Sequence, residues 1–313
     1  MSFSSIVKQE VSQKIMEGND ARAELSALIQ MCSSLSFSNR GMTILVTVEN
    51  AAVARVIYRM VKERYNSEIE LFVKKKMNLK KNRIYGLRIL SAAPVILTDL
   101  CIYSARGLLE KPLQKIVASD NNARAYLVGA FLAGGSINPP EKTNYHLEIT
   151  AANEEHAFFI QEVMNRFYLN AKVIERRNKF VVYIKAAEKI ADFLRIIEAE
   201  QALFSFENIR IERDLANNIQ RLNNIDVANE MKAQSAAAKQ LEDIRKIEQM
   251  GKYDTLDQKL KDVIEIRKEY PEASLNELCN YLAEKTKKSV SKSGIRHRFV
   301  KIHDIAADGE EDA

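Results

Sequence analysis

The sequence predicts an α+β chain in which one α/β unit occurs twice and a wholly helical module follows. Three observations predict it. Ala21-Arg22-Ala23-Glu24-Leu25 returns as Ala123-Arg124-Ala125-Tyr126-Leu127, an offset of 102 residues. The same order of helical and strand patterns follows each string, as expected of an internal duplication. From about Phe206 onward the strand signal ceases and only helical periodicity remains.

Residues 2–36 read as helical, with Ile6, Val7, Val11 and Ile15 at helical spacing. Gly18-Asn19 interrupts them, and Asp20 is expected to cap a second helix through Leu35. Met42 to Val48 is β-branched and reads as a strand, Ala51 to Tyr65 as a helix, and 69–73 and 84–90 as strands flanking a basic connection. Pro94 opens a helix to about Arg106. The second round has a helix at 122–134, a strand at 145–150 and a helix at 154–168. Strands at 172–175 and 180–184 follow, around Arg177-Asn178, and then a helix at 187–197. Each round thus reads helix, strand, helix, strand, strand, helix.

Composition narrows the function class. The chain has 313 residues, 46% hydrophobic and 28% charged, enough for packed cores. No run approaches the roughly 18 apolar residues of a membrane span, and the N-terminus lacks the apolar core of a secretory signal. Cys32, Cys101 and Cys279 are odd in number and match no zinc or redox spacing; they read as reduced thiols of a cytosolic protein. The four histidines are scattered, so neither a metal nor a cofactor is expected. The net charge is only +5, so its distribution matters more than its size.

That distribution points to the C-terminus. Ser274-Leu275-Asn276-Glu277 spells a capping box, and the short helix after it is expected to bury Leu275, Leu278, Cys279 and Leu282. A polar connector, Glu284 to Ser289, leads to a second cap, Ser291. It is longer than the three or four residues of the tightest helix-turn-helix motifs. In the last helix Ile295, Phe299 and Ile302 form the buried stripe. Ser293, Arg296, His297, Val300 and Lys301 then face outward, with Lys292 in the first turn and Arg298 beside the core. A capped helix, a turn and a helix with a basic outer face is what major-groove reading requires. Arg, Ser and His can bond base edges, Lys can neutralise phosphate, and Val300 can meet a thymine methyl, so Ser274, Ser291, Lys292, Ser293, Arg296, His297, Arg298, Val300 and Lys301 are the expected DNA-binding residues. A second cationic cluster, Lys74, Lys75, Lys76, Lys80, Lys81 and Arg83, makes six of ten residues basic and suits phosphate contact without sequence selectivity.

The helix Leu127-Val128-Gly129-Ala130-Phe131-Leu132-Ala133-Gly134-Gly135 carries small residues that allow close approach of a partner helix, for which Leu25 to Ser33 is the candidate. It resembles the signature helix of the LAGLIDADG homing endonucleases. That resemblance implies two helices at a pseudo-twofold axis and two sheets that grip DNA. It also implies an acidic metal ligand near the end of each signature. The matching positions are Cys32 and Gly134, neither a carboxylate, so the metal-dependent chemistry is expected to be lost. Glu148 and Glu154, nearby in sequence, read as surface carboxylates.

Ala125 to Ser136, Tyr145-His146-Leu147-Glu148, Asn217 to Gln240, and Val290-Ser291-Lys292-Ser293-Gly294 with His297-Arg298 together resemble the WhiA family of sporulation and cell-division regulators over essentially the whole chain. The resemblance implies a duplicated LAGLIDADG-like α/β unit followed by an all-α helix-turn-helix domain. The expected boundaries are a first repeat with its N-terminal helix at 1–106, a second repeat at 107–205 and a helical linker at 206–250. The helix-turn-helix domain follows at 251–306, with an acidic disordered tail at 307–313. The implied function is a non-enzymatic, sequence-selective DNA-binding protein in cell division and chromosome segregation, acting through transcription. Its expected partners are double-stranded DNA and a regulatory or division protein, with no membrane and no small-molecule substrate, and its expected place is the cytoplasm, on the nucleoid. Two alternatives stay open: a protein-interaction scaffold for the division machinery, and a metal-dependent endonuclease with displaced ligands.

Overall fold

The computed structural model describes residues 2–38, 41–75, 83–105, 107–142 and 144–308. They divide into two compact units, Met1–Arg213 and Asp214–Ala313.

The first unit opens with α1 (Phe3–Val11). One repeat follows: α2 (Gly18–Cys32), β1 (Ser33–Ser38), β2 (Gly41–Val48), α3 (Ala51–Tyr65), β3 (Ile69–Lys75), β4 (Arg83–Ile89) and α4 (Ala93–Asp99). A short hairpin, β5 (Tyr103–Ser104) and β6 (Gly107–Leu108), leads to the second repeat. That repeat is α5 (Asp120–Gly134), β7 (Gly135–Ile137), β8 (Leu147–Ala151), α6 (Glu154–Arg166), β9 (Lys172–Arg176), β10 (Lys179–Ile184) and α7 (Ala187–Ile196). The two antiparallel sheets have matching orders, β1-β2-β4-β3 and β7-β8-β10-β9.

Each repeat therefore contains one strand more than the pattern predicts, placed directly after its leading helix. The helix expected to run through Leu35 ends at Cys32, because Ser33 turns extended (φ −109°, ψ 159°) and pairs with Val46. Gly135 does the same after α5. The helix expected from Pro94 to about Arg106 stops at Asp99, and Cys101 takes a positive φ of 62°. Asp20 is not the cap of α2. Glu17 holds that position without a side-chain bond, and the Asp20 carboxylate accepts from Asn122 instead.

Alternation explains the two faces of each sheet. Ile44, Val46, Leu87 and Ile89 point to the helices and are buried, as are Leu147, Ile149, Val182 and Ile184 in the second sheet. The helices α2 and α5 pack side by side at the centre. A Cβ on Gly129 would lie 2.2 Å from the Glu24 carbonyl oxygen and 3.0 Å from Ala27 Cβ, so only glycine permits this approach. The N-terminal helix straps the second repeat: Ser4 Oγ donates to the Ile137 carbonyl (2.9 Å) and accepts from its N–H (2.8 Å).

A long helix, α8 (Glu200–Gln249), begins in the first unit. Its first turn is capped by Glu10, whose carboxylate accepts from the N–H groups of Gln201 and Ala202 at 2.8 and 3.0 Å. In the second unit it is followed by α9 (Gln258–Glu269), α10 (Leu275–Thr286) and α11 (Lys292–Ala307). Ile244 and Ile247 of α8 join Val263, Ile264, Leu278, Leu282, Ile295, Phe299 and Ile302 in one core. Of the four residues expected to be buried on α10, Leu278 and Leu282 are, while Leu275 and Cys279 pack at the margin. The last helix continues to Ala307, past the point where a disordered tail was expected; residues 309–313 lie outside the described residues.

Candidate nucleic-acid interface and the altered metal site

The turn of the C-terminal motif is tighter than the sequence suggests. Thr286 Oγ1 donates back to the Leu282 carbonyl at 2.7 Å, so α10 runs through residues expected to be connector. Lys287 then takes a left-handed conformation (φ 54°) that ends it. Only Lys287 to Val290 separate α10 from the Ser291 cap, within the span of a compact helix-turn-helix.

Both serine caps form. Ser274 Oγ accepts from the Glu277 N–H at 3.3 Å, and the Glu277 carboxylate accepts from the Ser274 N–H at 2.7 Å. Ser291 Oγ accepts from the Gly294 N–H at 3.1 Å. Ile295, Phe299, Ile302 and Ala306 bury the inner stripe of α11. Lys292, Ser293, Arg296, His297, Val300 and Lys301 are exposed, as the helical spacing requires. Asp304 ends the outward face; no carboxylate precedes it on α11. Arg298 does a different job from its neighbours: it is half-buried and reaches the Lys259 carbonyl at the start of α9, at a long 3.5 Å.

No pattern in the sequence points to the residue that sets α11 in place. Arg267 is 1% exposed, and its Nη1 donates to the Ala273 carbonyl at 2.6 Å and, at greater length, to those of Tyr270 and Pro271. Its guanidinium lies 5.5 Å from the centre of the Phe299 ring. One cation thus ties the α9–α10 loop to the core side of α11.

On the platform, Lys74 and Lys75 close β3 and Arg83 opens β4; Lys76, Lys80 and Lys81 lie outside the described residues. Lys75 stands directly opposite Arg83. The second repeat reproduces this unforeseen pairing, with Arg176 opposite Lys179 at the tip of the β9–β10 hairpin. Arg177 and Asn178, both at positive φ (52° and 59°), make its two-residue turn, the form that suits hairpin twist. Like charges directly opposite one another on a ladder destabilise it.

At the ends of α2 and α5 the expected lost ligands can be tested for fit to a divalent metal. Burial pushes the Cys32 thiol up to about 12, so it stays protonated. Gly134 offers no side chain, and a Cβ there would lie 2.6 Å from the Thr150 carbonyl oxygen. Cys32 and Ala133 line a cleft of about 540 Å³, and the cation in it is Lys8 of α1. Burial lowers the Lys8 pKa, the neighbouring Glu49 carboxylate opposes that shift, and the ammonium lies 5.8 Å from the Phe131 ring centre. A protonated thiol, a glycine and an ammonium do not make a magnesium site, and Glu49 is the one carboxylate among the described residues that line the cleft. Glu148 is paired with His146 (3.1 Å), and neither Glu148 nor Glu154 lines the cleft. Among the described residues no group of three or more His, Cys, Asp or Glu could hold a metal ion.

Fold and site together define a duplicated LAGLIDADG-like platform carrying a C-terminal helix-turn-helix domain. Family models agree: residues 19–103 match the WhiA N-terminal LAGLIDADG-like domain, 123–216 the WhiA LAGLIDADG-like domain and 219–306 the WhiA C-terminal HTH domain. The chain is 45% identical over 307 residues to proteins described as "Probable cell division protein WhiA" from Lysinibacillus sphaericus and Bacillus cereus, covering 98% of this chain and 96% of each relative. The crystal structure of full-length WhiA from Thermatoga maritima superposes with a TM-score of 0.60 at 24% identity, covering 98% of this chain and 99% of that one. The chain belongs to the WhiA family.

Proposed function

We propose that this protein binds duplex DNA selectively through α11 and regulates cell division and chromosome segregation, acting through transcription and without catalysis. The observation that carries the reading is the exposed face of α11. Arg296, His297, Lys301 and Ser293 stand free on a helix whose other side is fixed by a core and by Arg267. Arg296, His297, Ser293 and Val300 would read base edges, while Lys292, Lys301 and the capped N-terminus at Ser291 would meet phosphate. Arg298 and Ser274 support the motif more than they reach outward.

The matched like-charge pairs that end the described ladders, Lys75 with Arg83 and Arg176 with Lys179, support phosphate contact by the platform as well. Lys8 beside Glu49 in the cleft speaks against the displaced-ligand endonuclease, because an ammonium there competes with a metal for the carboxylate. The cell-division role follows from the relatives, which are cell division proteins by name. No helix among the described residues is long and apolar enough to cross a membrane; the place proposed is the nucleoid. Genome-wide DNA occupancy tests the reading: wild-type protein should occupy discrete sites that the Arg296→Ala/His297→Ala variant leaves empty. Identical occupancy maps would refute it.

A further inference from the structure

The middle of α8 has no visible means of support. Every residue from 214 to 232 is exposed. Five of them, Asn217, Asn218, Asn223, Asn224 and Asn229, are poor helix formers. An isolated helix of this length is marginal in water even when alanine-rich. Yet the segment carries an apolar stripe. Leu215, Ile219, Leu222 and Ile225 fall within about 120° of the helix circumference at 100° per residue, and they are 60%, 50%, 62% and 56% exposed. Four such side chains make a contiguous apolar patch of roughly a few hundred Å², near the upper limit of what a soluble monomer leaves exposed.

We infer that Leu215, Leu222 and Ile225, with Ile219 on the flank, form the seam of a parallel two-stranded coiled coil with a second copy of this chain. The spacing fits a heptad: Leu215, Leu222 and Asn229 repeat at seven residues, and Asn218 and Ile225 repeat at seven on the adjoining position. Charge supports the same occupant. Arg221 flanks the seam on one side and Asp226, five residues later, on the other. In a parallel pair Arg221 stands opposite the partner subunit's Asp226, and the twofold axis doubles the ion pair. Three carboxylates (Asp214, Asp226, Glu230) against two cations (Arg221, Lys232) make the segment a poor surface for nucleic acid. Asn218 and Asn229 on the seam fix one register at a cost in affinity, so the pair is a weak one.

The inference does not rest on the DNA-binding reading, and its test uses DNA-free full-length protein. Sedimentation equilibrium should show a concentration-dependent dimer. Leu222→Glu, at an exposed position, should leave the fold intact and the chain monomeric. Arg221→Glu should weaken association several-fold, and Arg221→Glu combined with Asp226→Arg should restore it. A wild-type chain that stays monomeric at every concentration, a dimer indifferent to Leu222→Glu, or a charge swap that fails to rescue would each overturn the proposal.

Discussion

Asn122 Nδ2 donates to Asp20 Oδ1 at 2.7 Å, and the two residues are 102 positions apart. That separation is the period of the duplication. The first turns of α2 and α5 therefore meet at equivalent positions, as do Ala27 and Gly129, also 102 apart, further along the same helices. Equivalent residues touching at two levels place the pseudo-twofold axis between the helices and roughly along them. Asn facing Asp at the axis avoids the repulsion that two carboxylates would bring.

The first prediction concerns this contact. Gly129→Ala sets a methyl against the Glu24 carbonyl, which is backbone and cannot swing aside. Overpacking of this kind costs about 1–3 kcal/mol. Chemical denaturation should show the loss in the platform transition and leave DNA binding by α11 unchanged.

The second concerns pH. Burial pushes the Glu24 carboxyl up from 4.5 to about 8, partly offset by Arg59. A group whose folded pKa is raised contributes stability that is full below its unfolded pKa and fades as pH rises through the folded one. His156, buried with its Nε2 2.6 Å from the Tyr126 hydroxyl, is lowered from 6.5 to about 4. Its contribution is present above 6.5 and lost as pH falls through 4. Between pH 6.5 and 8 only Glu24 of these two acts, so the melting temperature of the platform should fall as pH rises across that window. Glu24→Gln should flatten the slope; an unaltered slope in that variant would show that another group sets it.

The third concerns metal. Restoring a carboxylate by Cys32→Asp places it beside the Lys8 ammonium, which should pair with it ahead of magnesium. Calorimetric titration with magnesium should give no binding heat for this variant, whereas Cys32→Asp with Lys8→Ala is the combination that would bind metal if one charge is the obstacle. Micromolar affinity in Cys32→Asp alone would contradict that role for Lys8.

The fourth concerns capping. Ser291→Ala removes the bond to the Gly294 N–H at the start of α11 and should cost about 1 kcal/mol. Thermal unfolding of the second unit measures it. Ser291→Asp, which can accept the same bond, should restore the stability.

Much of this architecture is legible in the residues. The repeated Ala-Arg-Ala string locates α2 and α5, and the small residues of α5 announce their close packing. The strands after these helices are not legible. In Ser33–Ser38, four serines in six residues lack strand propensity, and pairing with β2 makes the strand. The extent of α10 is hidden for a similar reason, since Glu284 to Thr286 reads as polar connector until the Thr286 hydroxyl is seen bonded within the helix. For the interface, helical spacing was enough to find the outward face of α11. Lys8 and Arg267 were out of reach because their roles depend on contacts with residues distant in the fold or in a neighbouring loop, Lys8 with Cys32 and Arg267 with Ala273 and Phe299.

The most direct measurement is a salt titration of full-length protein on a selected duplex and on a scrambled one. Wild type should prefer the selected duplex by about 10³-fold or more at physiological salt, the low end for specific DNA binding. Arg296→Ala/His297→Ala should bind both duplexes equally, and Lys301→Ala should weaken both alike while reducing the salt slope by about one. A double variant that keeps the wild-type preference would contradict the assignment of α11 to the major groove.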